Sequence, residues 1–204
     1  MKLKAEQFLS HLISSIGHPI LLGSLAAIYV NFREFDGDKA WRLTLTLIIG
    51  YVLPIVVFLI YKMKKGDYEN FDVSNQKKRN SLYIFSIFLL ALFMGYLFLI
   101  NSTWLIKCGI IPVFLLTLSS YFINKKIKVS LHTSFSFLLA TMMIQVETSA
   151  AFTMYLFAIL IGYSRLHLKR HSIPEVALGA ILGVGIGFIF HFVYRFGLEE
   201  LMIK

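Results

Sequence analysis

The stretch VALGAILGVGIGFIFHFVYRF, residues 176–196, decides the fold. Its only formal charge is Arg195, and a helix of about 20 apolar residues is long enough to cross a bilayer. Inside lipid, only helices and closed barrels satisfy every backbone hydrogen bond, and the alternating pattern of a β-barrel is absent from this chain. The sequence therefore predicts an all-α, polytopic transmembrane helical bundle.

The composition of the whole chain supports the same class. Of 204 residues, 57% are hydrophobic and only 15% are charged, whereas globular domains are about 45–50% apolar and about 25% charged. These values exclude a soluble enzyme and a disordered chain. Cys108 is the single cysteine, which excludes a disulfide scaffold. We expect one membrane domain over residues 1–204.

Seven apolar segments are candidate spans, in agreement with a bundle of six to seven helices. The first contains His18-Pro19, where a proline can kink a helix, and its start is interpreted as an anchor rather than a signal peptide. The fifth and sixth are short and could form a membrane-buried hairpin. The segments are Phe8–Phe32, Leu43–Tyr61, Ser81–Ile100, Thr103–Ile123, Leu131–Gln145, Ala150–Tyr163 and Val176–Phe196.

The basic residues lie mainly on one side of the predicted membrane. Seven alternating spans place the N-terminus and the loops 62–80, 124–130 and 164–175 on one face, here called the basic face. It carries 14 of the 20 Lys and Arg residues and has a net charge of +9, whereas the opposite face has none. The positive-inside rule makes the basic face cytoplasmic. Alternatively, these loops converge on a phosphate, and the surplus favours anionic head groups or a phosphorylated substrate over nucleic acid.

Small residues repeat in the last span. Gly179, Gly183 and Gly187 follow one another at four-residue spacing, which puts them on one helix face and lets a neighbouring backbone approach closely. We expect this helix to be an inner member of the bundle and a rigid support for the loop before it.

Three polar segments of the basic face contain residues that can do chemistry. The third reads Ser-Arg-x5-His-x3-Glu over residues 164–175, the second reads Val-Ser-Leu-His over 129–132, and the first ends at Arg79. Ionisable groups at membrane depth are costly and often functional. Chance alone would place the third pattern in about one in a thousand chains of this composition.

These segments resemble the motifs of the type 2 phosphatidic acid phosphatase and vanadium haloperoxidase superfamily. That family carries K-x6-R-P, P-S-G-H and S-R-x5-H-x3-D in this order, and the resemblance covers roughly residues 60–190. The family-like core extends over about 60–196, and His18-Pro19 is similar to a feature of small bacterial members. Here Asp72 stands in place of the Lys, Asn80 in place of the Pro, and Glu175 in place of the final Asp. Val129 and Leu131 replace the Pro and Gly of the second motif.

The resemblance implies a role for each matched residue. His171 would attack phosphorus and form a phosphohistidine, Glu175 would hold its other ring nitrogen, and His132 would protonate the leaving oxygen. The phosphoryl oxygens would be bound by Arg79, Arg165, Ser130, the N–H of Leu131 and Lys78, with Lys78 or Lys77 supplying the missing cation. No cofactor or metal is implied, because no carboxylate cluster for Mg²⁺ is present.

The same residues also have structural interpretations. Ser172-Ile-Pro-Glu175 is a capping box that opens the last helix, and Glu175 could be both cap and catalytic partner. Arg79 could be a membrane-flanking charge, and His132 could cap a helix. His18 carries no recognisable chemistry. Glu147 is expected in a turn on the opposite face.

The leading hypothesis is a membrane phosphatase acting on a lipid phosphate. Candidate substrates are phosphatidate, phosphatidylglycerol phosphate, a polyprenyl (pyro)phosphate and a lipid A phosphate. The alternative is a catalytically degenerate member that binds anionic lipid or scaffolds a membrane partner. A transporter is disfavoured, because transporter sites lie near the midplane. We expect the protein in a bacterial cell membrane, among membrane lipids and without nucleic acid. The family typically works on the outer side, whereas the basic bias favours the cytoplasm, and the oligomeric state is open.

Overall fold

The computed structural model describes residues 2–73, 75–100 and 102–202, and within these ranges it is helical, with no β-strand. The predicted all-α bundle of membrane-spanning helices is confirmed. The helices are α1 (Lys2–Ile16), α2 (Pro19–Glu34), α3 (Gly37–Leu47), a π-helical turn (Ile48–Val52), α4 (Leu53–Lys64), α5 (Arg79–Leu99), α6 (Trp104–Asn124), α7 (Leu131–Met143), α8 (Thr148–His167) and α9 (Ile173–Met202).

Five helical segments of the described chain are long and apolar enough to cross a bilayer. They are Gly37–Lys64, which joins α3, the π-turn and α4, together with α5, α6, α8 and residues 173–196 of α9. Helix α7 has only 13 residues, about 20 Å, and is too short for a core of about 30 Å. The prediction that the sixth span is short was wrong, because α8 has 20 residues.

Helices α1 and α2 pass the same test as a pair but are bent by 57° at the predicted break. Pro19 occupies the first turn of α2, where its missing N–H costs nothing. The Nδ1 atom of His18 caps this turn by accepting the N–H of Ile20 at 3.4 Å. Gly17 lets the bend pack against Ile161 of α8, since a Cβ there would lie 2.6 Å from the Ile161 side chain. The bend therefore turns the His18 ring into the bundle.

The π-helical turn has a local cause in Pro54, near the start of α4. A proline lacks the N–H for the normal helical bond, and its ring presses against the carbonyl four residues earlier, which here belongs to Gly50. A wider turn relieves that contact. A Cβ on Gly50 would lie 2.9 Å from the ring of Phe93, so the turn packs closely on α5.

Helix α7 is at the centre of the bundle, with α2, α6, α8 and α9 packed around it. The glycine face predicted on α9 contacts it directly. A Cβ on Gly179 would lie 2.9 Å from the carbonyl oxygen of Ser130, and a Cβ on Gly183 would overlap the carbonyl oxygen of Ser134. Gly187 packs against α7 in the same way. The start of α7 is thus fixed against the start of α9.

Loops of the basic face meet at one end of the bundle. The side chain of Gln76 donates to the carbonyl of Asn124 at 2.6 Å, and Lys128 donates to the carbonyl of Arg170 at 2.9 Å. At the opposite end, Glu147 precedes α8 and pairs with a cation near the end of α2, Arg33, at 2.6 Å. Helix α2 therefore runs from the basic face to the other end, and Glu147 lies where the sequence predicts it.

Candidate functional site

The third motif forms a tight turn between α8 and α9. Ser164 is buried in the last turns of α8 and donates to the carbonyl of Ile161 at 2.7 Å. The backbone N–H groups of Arg170 and His171 both donate to the carbonyl of Arg165, at 3.1 and 3.3 Å. Lys169 has a φ of +53°, which reverses the chain at this point. The turn places His171 beside the helix end that carries Arg165.

His171 is oriented by Glu175. Its Nδ1 lies 2.7 Å from Oε2 of Glu175, one helical turn later. A carboxylate only accepts, so Nδ1 carries the hydrogen and Nε2 keeps its lone pair. That Nε2 is buried and has no hydrogen-bond partner among the described residues. Glu175 also accepts the N–H of Ser172 at 3.2 Å, so the contact implied by the resemblance and the contact of a capping box coexist.

Arg165 is a buried charge with two partners. Its side chain is 1% exposed, and Nη1 donates to Oδ2 of Asp72 at 2.8 Å and to Oγ of Ser14 at 2.5 Å. Its Nε is buried without a partner in the described part of the chain. The guanidinium thus binds one carboxylate and keeps a free donor.

His132 lies in the first turn of α7 and faces the same carboxylate. Its Nε2 is 3.4 Å from Oδ1 of Asp72. This distance allows an ion pair, but the two atoms do not form a hydrogen bond. Its ring packs edge-on against the ring of His18, with 5.2 Å between centroids. Asp72 therefore bridges Arg165 and His132 with its two oxygens.

Arg79 is buried at the start of α5 and connects the first two motifs. Its Nε donates to the carbonyl of Val73 at 2.7 Å, and its Nη1 donates to the carbonyl of Val129 at 3.0 Å. Val73 has a φ of +44°, which is unfavourable for a β-branched residue. Arg79 thus holds the strained turn that presents Asp72.

Two expected phosphate ligands have other contacts. The ammonium of Lys78 is exposed and lies 3.5 Å from Oε1 of Glu69, so the structure does not bring it to this cluster. The hydroxyl of Ser130 is fully buried, lies 2.9 Å from Oγ1 of Thr133 and accepts the Thr133 N–H at 3.5 Å. Ser130 is therefore the N-cap of α7. The adjacent N–H of Leu131 is in the first helical turn, where N–H groups have no intrahelical partner.

The structure adds residues that the sequence did not single out for this site: Asp72, Lys128, Ser14 and His18. In the sequence, Asp72 is a departure from the family's Lys. Lys128, two positions before Ser130, is one of the charges of the basic face. Ser14 and His18 lie more than a hundred positions before the residues that they contact, Arg165 and His132, and no spacing rule connects them. The break at His18-Pro19 is the one signal in the sequence that draws attention to this region.

The cluster is electropositive. Arg79, Arg165 and Lys128 oppose the two carboxylates of Asp72 and Glu175, leaving a formal charge of +1 when the histidines are neutral. Burial, with the positive charges of Arg79, Arg165 and Lys128 nearby, lowers the pKa of His171 from 6.5 to about 2. His171 is therefore neutral near pH 7.

Asp72, in contrast to His171, is in its charged form. Burial alone would raise its pKa, but the contacts with His132 and Arg165 hold the pKa of this carboxyl well below its usual range. Burial also lowers the pKa of the Lys128 ammonium, and the charges of Arg79 and Arg165 act in the same direction. The net positive charge of these neighbouring groups favours the binding of an anion.

One group of side chains has the composition of a metal site. Ligand atoms of His18, Asp72 and His132 lie within 4.8 Å of one another. However, an oxygen of Asp72 already binds Arg165, whose fixed positive charge opposes a cation at this point. An anion with several oxygens fits the cluster better than a metal ion.

Comparison of the chain with known protein families, curated proteins and solved structures finds no match. The resemblance stated above therefore rests on the three motifs themselves.

Proposed function

We propose that this protein is an integral membrane phosphatase that removes the phosphate from a phosphorylated lipid through a phosphohistidine on His171. One observation carries the proposal. Glu175 holds Nδ1 of His171, and the buried Nε2 has no partner among the described residues, within a cluster that bears a net positive charge. An imidazole in this state is a nucleophile directed by its carboxylate partner.

The chemistry follows from these contacts. The Nε2 lone pair of His171 attacks phosphorus and the phosphorus–oxygen bond to the lipid breaks. The leaving alkoxide takes a proton from His132, which is protonated in the complex with the anionic substrate. Arg165, with the positive charge of Arg79, stabilises the charge on the phosphoryl oxygens. Water then attacks the phosphorus of the phosphohistidine while His132 takes a proton from this water. The phosphorus–nitrogen bond breaks, which releases phosphate and restores both the His171 lone pair and the proton on His132. The phosphoryl group takes over the contacts of Arg165 that Asp72 makes in its absence.

A lipid substrate is proposed because the cluster lies at the end of a membrane bundle. The apolar helices can hold the tails while the basic face holds the head group. Phosphatidate, phosphatidylglycerol phosphate, polyprenyl (pyro)phosphates and lipid A phosphates all meet this description. We propose the bacterial cell membrane as the location.

Phosphate release from a panel of these lipids tests the proposal. The purified protein is assayed in detergent with and without vanadate, beside His171→Ala, His132→Ala and the control His11→Ala, whose side chain is exposed. We expect vanadate-sensitive release by the wild type and the control and none by His171→Ala. The stability of a phosphoryl label on the protein identifies the intermediate. A phosphohistidine survives base and is lost in acid. Equal trace release by all four proteins would contradict catalysis.

A second candidate is a non-catalytic protein that binds anionic lipid. The observation in its favour is that the Asp72 carboxylate already occupies Arg165 and faces His132. It predicts binding to vesicles that contain phosphatidate without phosphate release, and binding that His171→Ala leaves unchanged.

The face of the membrane is tested by labelling. Lys126 is exposed in a loop of the basic face, and the single native thiol, Cys108, is fully buried. Whole cells that express Lys126→Cys are treated with a membrane-impermeant maleimide. Labelling in intact cells places the basic face outside, as the resemblance implies, and labelling only after lysis places it inside, as the charge bias implies.

A further inference from the structure

We propose that the apolar cavity between α2, α3, the π-turn, α5, α6 and α7 binds a segment of one aliphatic chain of the substrate lipid. This inference rests on the proposed function and specifies the substrate as a long-chain phosphate ester. The cavity has a volume of about 190 Å³ and is partly open to the outside. Its walls are almost entirely apolar.

The cavity begins next to the candidate site. Pro19 and Ile20 line it and directly follow His18, whose ring contacts His132. Phe135 and Leu139 also line it, three and seven positions after His132, and therefore on the same face of α7. A lipid with its phosphate beside His132 can extend its chain along this face.

Two of the polar side chains in the wall are already hydrogen-bonded within the protein. The hydroxyl of Ser24 donates to the carbonyl of Ile20 at 2.7 Å, and the amide of Asn31 donates to Oγ1 of Thr44 at 3.2 Å. A polar ligand would find few free donors here. An apolar cavity of roughly 150 Å³ stays dry and takes up benzene, so 190 Å³ accommodates on the order of eight carbon atoms. That is room for part of one chain and none for a second beside it.

Two glycines provide a matched test. Gly109 of α6 lines the cavity, and a Cβ built on it meets no atom within 4 Å, so a side chain added here begins in open space at the cavity wall. Gly95 of α5 is exposed and is equally free of contacts, but it does not line the cavity. Both substitutions, Gly109→Leu and Gly95→Leu, add the same side chain to a membrane helix.

The experiment measures phosphate release from butyl phosphate and hexadecyl phosphate by protein reconstituted in lipid vesicles. We expect Gly109→Leu to raise KM for hexadecyl phosphate by about tenfold or more, since each methylene excluded from the cavity costs roughly a factor of four in binding. Its activity on butyl phosphate stays within about twofold, and Gly95→Leu matches wild type on both substrates.

A second readout is independent of catalysis. Hexadecanol, which has the chain without the phosphate, should raise the Tm of wild type and Gly95→Leu but not of Gly109→Leu. Circular dichroism checks folding, and Gly109→Val replaces Gly109→Leu if the latter does not fold. Unchanged use of hexadecyl phosphate by folded Gly109→Leu would overturn the cavity assignment alone. Absence of phosphate release by wild type from these substrates and from the lipid panel above would overturn the proposed function. The hexadecanol result would then decide separately whether the cavity takes an aliphatic chain.

Discussion

The carboxylate of Asp72 accepts a hydrogen bond from the guanidinium of Arg165 at 2.8 Å, although 93 positions separate the two residues in the chain. The other oxygen of Asp72 faces His132 at 3.4 Å. A phosphoryl group bound by Arg165 and His132 would use the same two contacts. Asp72 is therefore an internal anion at the position where the proposed substrate binds.

Removing this charge should strengthen binding of a phosphate analogue. We expect Asp72→Asn to lower the Kd for vanadate by about tenfold, equivalent to about 1.4 kcal/mol, because the competing carboxylate is lost. Without ligand the variant should have a lower Tm, since Arg165 remains buried without its charged partner. Vanadate titrations followed by thermal unfolding measure both effects.

Asp67→Asn is the matched control on the same loop, because Asp67 pairs with Lys62 at 2.9 Å, outside the cluster. It should leave the Kd for vanadate unchanged. Weaker vanadate binding by Asp72→Asn would instead assign Asp72 a supporting role in anion binding.

The lowered pKa of His171 predicts a pH-dependent stability. Its pKa is about 2 in the folded protein and 6.5 in the unfolded chain, so the unfolded chain binds more protons between these two pH values. Above pH 6.5 this group therefore does not affect stability. Below pH 6.5 it lowers the free energy of unfolding by at most about 1.4 kcal/mol per pH unit. Asp72 affects the pH dependence of stability only below pH 3.8. Measurements between about pH 7.5 and 4.5 therefore report on His171 and not on Asp72.

Thermal unfolding in detergent across this pH range should give a smaller acid loss for His171→Asn than for wild type. His11→Asn, at an exposed position, is the control and should follow wild type. Parallel curves for all three proteins would show that His171 is not held neutral by the fold.

Packing of α9 on α7 predicts opposite effects for two neighbouring glycines. A Cβ on Gly183 overlaps the carbonyl oxygen of Ser134, so Gly183→Ala should destabilise by about 1–3 kcal/mol. Gly185 has open space around it, and Gly185→Ala should be neutral or stabilising by up to about 1 kcal/mol, since alanine favours helix. Guanidinium or thermal unfolding in one detergent compares the two. Equal loss from both substitutions would argue against direct backbone contact.

Substitutions of two of the predicted phosphate-binding cations, Lys78 and Arg165, should have very different effects. Arg165→Lys keeps the charge but loses the planar fork, and kcat/KM should fall by about tenfold or more. Lys78→Gln should stay within about twofold of wild type, because Lys78 pairs with Glu69 at the surface. Initial rates on one lipid phosphate compare the two variants. A large loss of kcat/KM in Lys78→Gln would show that Lys78 contributes to the site.

The sequence predicted the third motif well because its contacts are local. His171 and Glu175 are four residues apart, and one helical turn brings them within 2.7 Å. The same locality made Ser130 ambiguous. A serine just before a helix can bind a ligand or cap the helix, and only the structure showed that its hydroxyl contacts Thr133.

What the sequence by itself determined was the helical membrane bundle, the close approach of α9 and the His171–Glu175 pair. These depend on hydrophobic length, on four-residue spacing and on contacts within one helical turn. The tertiary structure decided the rest: that Asp72 binds Arg165, that Lys78 lies outside the cluster, and that His18 joins it. Those outcomes depend on which loops meet at the end of the bundle, and no local pattern in a chain specifies the distance between residues a hundred positions apart.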